Sequence, residues 1–307
     1  MNMAEETHAQ KVALLIEKHV RDRNMDPESI AKHYSINHFG FELDPDYFDV
    51  RLRMGWGFFT DKPRHLDHMT RNMLISVLLA FRDRPGCYHQ GKKGVMMGAT
   101  YEQMLEAYEA GHIVGGGPVL MNGMQALKRM WDEGVKPGCQ ASPWTGKWVQ
   151  LGPSTAGSTA SKQKSDDGTA SESREERLIR LIGEYYRAEQ GGERLQKDLS
   201  YVARIDPDFV EGYIKLAWGI FDLKRCHLDP IRREMAMLLI LAFQGRREEV
   251  YIHTRKAIEF GATTEQLLEA FEVGFTGGGS GVVFEGMHAL RRIHEEQSRG
   301  GSQKGRK

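Results

Sequence analysis

Between residues 233 and 256 the chain gathers side chains that can hold an anion and move a proton. Arg233-Glu234 open an apolar run that ends at Phe243. Arg246, Glu249, Tyr251 and His253 follow, and then Arg255-Lys256. Two antiparallel helices joined by a short turn would bring Glu234 and His253 face to face. A carboxylate beside an imidazole favours the charged ring and selects one tautomer, which suits general acid–base chemistry near neutral pH. The competing reading is a buried Glu–His pair that serves only the structure, or a histidine that caps a helix.

The elements that must position these groups occur twice. Residues 44–81 align without a gap to residues 206–243, identical at 15 of 38 positions. Residues 98–127 align to 261–290 at 17 of 30. The offset is 162 residues in the first block and 163 in the second, so one residue was gained or lost between Phe81 and Gly98. A repeat of this length predicts a duplicated domain rather than a solenoid of short units.

Each copy reads as helical throughout. Asp-Pro at 44–45 and 206–207 suits a helix cap followed by proline in the first turn. Asp67 and Asp229 open the next helices, and Gly-Ala-Thr at 98–100 and 261–263 ends one helix and caps another. Thr100 with Gln103, and Thr263 with Gln266, spell a capping box, although Thr264 competes for the second cap. Apolar spacing predicts leading helices over 9–22 and 176–188. The runs Gly115–Gly117 and Gly277–Gly279 lack the strand and motif of a phosphate loop, so they read as helix interruptions at a close helix–helix approach. No stretch alternates like a half-buried strand, and the expected fold class is all-α, with two repeated helical domains.

The expected boundaries are 1–134 for the first domain, 135–174 for an extended arm and flexible linker, 175–297 for the second domain and 298–307 for a disordered tail. A chain of 307 residues is long enough for each domain to bury its own core. Basic and acidic side chains balance at 42 each, so no global field points to nucleic acid or an anionic membrane. The N-terminus does not read as a secretory signal, and the most apolar stretch, 235–243, is too short to span a bilayer. Three scattered cysteines make no disulfide framework. A cytoplasmic protein without a membrane or nucleic-acid partner is expected. His65-Leu66-Asp67 and His227-Leu228-Asp229 recur before a helix; capping or packing explains them better than a metal, and no metal is expected. Trp56 and Trp218 recur at core spacing and would wall a pocket if their helix lines one.

Arg233-Glu234 before an apolar helix, then His253, then Phe260-Gly261-Ala-Thr-Thr-Glu-Gln-Leu-Leu-Glu-Ala270 resembles the carboxymuconolactone decarboxylase family, which includes the alkylhydroperoxidase D proteins. The resemblance covers roughly 44–133 and 206–296. It implies an all-helical domain that assembles as trimers or hexamers; two such domains in one chain would make a trimer of this chain imitate a hexamer, with a dimer as the alternative. In the peroxidase branch the chemistry sits on a glutamate, a Cys-x-x-Cys pair and a histidine. Those positions fall here on Glu234, Arg246, Glu249 and His253. Without a low-pKa thiolate and a resolving cysteine, thiol peroxidase chemistry has no carrier. The first copy has Asn72 for the glutamate and Gln90 for the histidine. His89 would replace Gln90 in a shifted register, Cys87 stands alone beside it, and Arg71 is the counterpart of Arg233.

What the resemblance leaves is the cofactor-independent, decarboxylase-like branch acting on a small carboxylate or lactone. Arg246, Arg233 or Arg255 would hold the anion, with Tyr251 and Trp218 beside it. His253 would protonate the carbanion or dienolate, tuned by Glu234 or Glu249. A non-catalytic oligomeric scaffold or small-molecule binder on the same fold is the alternative.

Overall fold

Asp67 and Asp229 start the two helices around which everything else is built. Each side chain accepts a backbone N–H three residues on, from Thr70 at 2.7 Å and from Arg232 at 3.0 Å. That satisfies one of the donors a helix start leaves open. The computed structural model describes residues 7–23, 42–50, 65–139, 172–188, 193–219 and 226–304. The first half holds α1 (His8–Arg23), α2 (His68–Phe81), α3 (Gly86–Met96), α4 (Tyr101–Gly115) and α5 (Gly117–Asp132). The second holds α6 (Arg174–Ala188), α7 (Glu193–Ile205), α8 (Pro207–Gly219), α9 (Pro230–Phe243), α10 (Arg247–Glu259), α11 (Thr264–Gly278) and α12 (Ser280–Lys304). Among the described residues there is no strand, and the fold is all-α.

The series α2–α5 and α9–α12 match in order and in detail. Both capping boxes form, on Thr100 and on Thr263, so Thr264 is not the cap. Gly116 at φ 78° and Gly279 at φ 80° break α4 from α5 and α11 from α12, a backbone state that favours glycine. The neighbouring glycines allow close approach. A Cβ on Gly111 would stand 2.8 Å from Val77, and one on Gly274 2.8 Å from Leu239. Tyr88 donates its hydroxyl to Glu133, and Tyr251 donates to Glu296. Arg129 and Arg292 each lie 3.7 Å from the centroid of their tyrosine ring. Glu133, bonded by Lys92 and then Tyr88, is held down at about 2.

The halves do not bury separate cores. One hydrophobic cluster takes Met73, Leu74, Val77 and Leu78 from α2 together with Met235, Leu238, Leu239 and Leu241 from α9. Helix α4 packs more extensively on α9 than on α2 of its own half, and α11 more on α2 than on α9. Both central helices are therefore covered on all sides, which explains why neither shows an amphipathic period. A second, small core of Leu178, Ile182, Ala203, Val210 and Ile214 joins α6, α7 and α8.

Polar groups reinforce the seam. Glu106 on α4 accepts from the backbone N–H groups of His227 and Leu228, both at 2.7 Å. Glu269 on α11 accepts from those of His65 and Leu66 at 2.6 and 3.0 Å, and pairs with Arg71. Each half thus clasps the loop that begins the other half's central helix. The recurrent His-Leu-Asp motif is explained this way: two N–H groups for the clasp, then the cap.

Arg232 and Thr70 occupy equivalent positions and meet across the seam, Nε to Oγ1 at 2.6 Å. The same guanidinium reaches Asp67 at 2.9 Å and Asp229 at 2.5 Å, tying both caps together. Arg232→Thr leaves two carboxylates facing each other without a cation and costs about 2 kcal/mol, the scale of a charged hydrogen bond. The exchange Thr70→Arg with Arg232→Thr returns a cation to the same place and recovers most of that loss. Chemical denaturation of the wild type, Arg232→Thr and the double variant measures both numbers. A double variant no better than Arg232→Thr alone would refute this account.

The leading helices fall where their spacing predicts, over His8–Arg23 and Arg174–Ala188. Helix α12 continues to Lys304, into the stretch 298–307 whose composition reads as disordered. Trp56 and residues 140–171, including most of the expected arm and linker, lie outside the described residues.

Candidate active site

Glu234 sits on the second turn of α9, and His253 on α10, which returns antiparallel beside it after the turn at Gln244–Arg246. His253 Nδ1 and Glu234 Oε2 are 2.6 Å apart. Glu234 is 1 % exposed and His253 20 % exposed, so the carboxylate is sealed while the ring reaches solvent. Glu234 Oε1 is buried without a hydrogen-bond partner. Leaving a buried oxygen in this state is costly. With Nδ1 facing a carboxylate, the favoured neutral tautomer carries its proton on Nδ1, and Nε2 is left to exchange protons.

Arg246, Glu249 and His253 follow at intervals of three and four and share one face of α10. Arg246 caps the helix and holds Glu249 through Nε at 3.1 Å and Nη2 at 2.6 Å. Burial pushes the Glu249 carboxyl up, but Arg246, the residue's own backbone N–H at the helix start and the nearby His253 together outweigh it and hold it below the usual range. A polar, charged surface thus leads from solvent to the imidazole. Arg255 lies two residues beyond His253, 3.4 Å from Glu259.

Several expected site residues stand elsewhere. Arg233 is fully buried and donates to Cys226 Sγ at 3.1 Å, so it cannot meet a substrate arriving from solvent. Arg71 is equally buried, in its pair with Glu269. Tyr251 spends its hydroxyl on Glu296 at 2.6 Å and its ring face on Arg292, which makes it a brace between α10 and α12. Trp218 belongs to α8, but its side chain lies outside what is described. His89 is exposed, its ring edge-on to Tyr88, and does not take over the histidine role. Asn72 keeps the glutamate position and bonds the His68 carbonyl at 2.6 Å. Neither Asn72 nor Gln90 can carry a proton.

Cys87 is buried among Ser76 and Tyr108. Burial pushes its thiol up, more than those two hydrogen bonds pull it down. It is therefore a poor thiolate. No group of three or more His, Cys, Asp or Glu placed to hold a metal occurs among the described residues. A cavity of about 470 Å³ opens at the seam, lined by Phe81, Arg82, Asp83, Pro118, Asn122 and Phe243, none of them part of the Glu234–His253 pair.

The clasping role of Glu106 and Glu269 lies outside what the residues predict. Its signal was present: the glutamate of Glu-Ala recurs at the same place in both copies, on a face that helical spacing alone would not assign to a partner.

With this geometry in place, residues 207–292 are found to match the CMD: Carboxymuconolactone decarboxylase family. The match runs from the start of α8 into α12 and includes Glu234, Glu249 and His253. It supports a domain of this family in the second half, in agreement with the all-helical fold. No curated protein matches the chain. No described helix is long and apolar enough to cross a membrane.

Proposed function

We propose that this chain is a cofactor-independent acid–base enzyme of the carboxymuconolactone decarboxylase type, a lyase acting on a small carboxylate or lactone. The observation that carries the reading is the 2.6 Å contact between a partly exposed His253 and a sealed Glu234. In this scheme Arg246 attracts the anionic substrate. The substrate's carboxylate leaves as carbon dioxide, and its electron pair stays on carbon as a dienolate. His253 then delivers a proton to that carbon, with Glu234 stabilising the charged ring before transfer. Glu249 holds Arg246 in place. The first half is a second domain of the same family whose Asn72 and Gln90 make it catalytically silent. Arg246 and Glu249 at the positions of the peroxidase cysteines argue against thiol chemistry.

The test is carbon dioxide release from a carboxylated lactone such as carboxymuconolactone, alongside hydroperoxide consumption with a dithiol. Turnover of the lactone and none of the peroxide is expected. Peroxide turnover that survives Cys87→Ser would overturn the mechanism. The second reading, a small-molecule binder, draws on the seam cavity, which lies apart from the pair. It predicts saturable binding without turnover.

A further inference from the structure

The two members of the Glu234–His253 pair are held differently, His253 by its own half and Glu234 by both halves. Helix α10, which carries His253, packs on α9 and on α12 of its own half and is braced there by Tyr251, Glu296 and Arg292. Helix α9, which carries Glu234, packs on α10 and as extensively on α4 of the first half. Its starting point is set from that side. The two carboxylate oxygens of Glu106 take one N–H each from consecutive residues, His227 and Leu228. Gln103, one turn earlier, donates to the His227 carbonyl at 3.1 Å. Asp229 then caps the helix and Pro230 begins it. Glu234 follows with no flexible residue between, so fixing the loop fixes both the height and the rotation of its carboxylate. One residue of slip would turn Glu234 by roughly 100°, away from His253.

We infer that Glu106 is a positioning residue for the Glu234–His253 pair, and that the first half acts as a built-in partner which completes the second half's site. This rests on the acid–base reading of that pair. The mirror clasp supplies an internal control. Glu269 holds the loop before α2 through the equivalent two N–H groups, both on Oε2 with Oε1 turned to Arg71, but α2 carries Asn72 where α9 carries a glutamate.

The experiment uses the full chain labelled with nitrogen-15 at histidine. The His253 signal is assigned by its disappearance in His253→Gln, and the tautomer is read at alkaline pH. The wild type should show the form protonated on Nδ1. Glu234→Gln should lose that preference, because an amide can both donate to and accept from Nδ1. Glu106→Gln places an amide N–H against a backbone N–H, and should also lose the preference. Glu106→Asp keeps the charge but shortens the reach, and should lose part of it. Glu269→Gln should melt earlier than the wild type yet keep the wild-type tautomer. Should Glu106→Gln fail to fold, Glu106→Asp and Gln103→Ala carry the test. If Glu234→Gln shifts the tautomer and the folded Glu106 and Gln103 variants do not, the positioning role is refuted while the pair stands. If Glu234→Gln itself changes nothing, the pair is wrong. If Glu269→Gln shifts the signal as much as Glu106→Gln, the effect is general loosening and the inference fails.

Discussion

Replacing His253 by glutamine should lower turnover of the carboxylated lactone by about two to four orders of magnitude, the range ascribed to a positioned acid–base group. The glutamine amide can still donate to Glu234, whose carboxylate is 1 % exposed. The substitution therefore removes the proton carrier without stranding a buried charge, and the melting temperature should move little. The loss should fall on kcat, with KM nearly unchanged, since anion binding rests on Arg246. Arg246→Ala should show the reverse pattern. Steady-state kinetics on the two variants separates the roles. Turnover by His253→Gln at the wild-type rate would remove His253 from the mechanism.

Glu269→Ala should be the most destabilising single change at the seam. It leaves Arg71, fully buried, without its counter-charge, and orphans the N–H groups of His65 and Leu66. Breaking one side of a buried pair costs about 3–5 kcal/mol. For a chain of 307 residues that is a fall in melting temperature of about 5–8 °C. Arg71→Met combined with Glu269→Leu should lose less than the two single changes together, because no lone charge then remains in the core. Thermal melts of the three variants decide it. A Glu269→Ala protein that melts within about 2 °C of the wild type would show that water or a rearranged loop serves Arg71.

Local signals carried the reading of the fold a long way. Asp67, Asp229, the two threonine capping boxes and the glycine breaks all act within four residues, and each was legible. The Glu234–His253 contact was legible as well, because both groups lie on consecutive antiparallel helices. What escaped were bonds to partners without a side-chain signature. Glu106 binds two backbone N–H groups 121 and 122 residues away, and a peptide N–H looks alike everywhere in a sequence. The decarboxylase-like reading puts Tyr251 beside the substrate. Its true partner, Glu296, lies 45 residues on, and only the equivalent Tyr88–Glu133 pair could have betrayed it. The expectation of one core per half failed for the same reason: a helix apolar on all sides demands cover, but does not say which half supplies it.

The crossed clasps also put time into the fold. The loop at His65 waits for Glu269, 204 residues further along the chain. At the pace of synthesis that is a delay of roughly 10–40 s, during which α2 has made its own turns but lacks half its cover. Nascent first halves on neighbouring ribosomes would meet with the same apolar helix bare. A message cut short after the first half should therefore yield chains that aggregate or are degraded, and the complete protein should lean on chaperones until its last helices emerge.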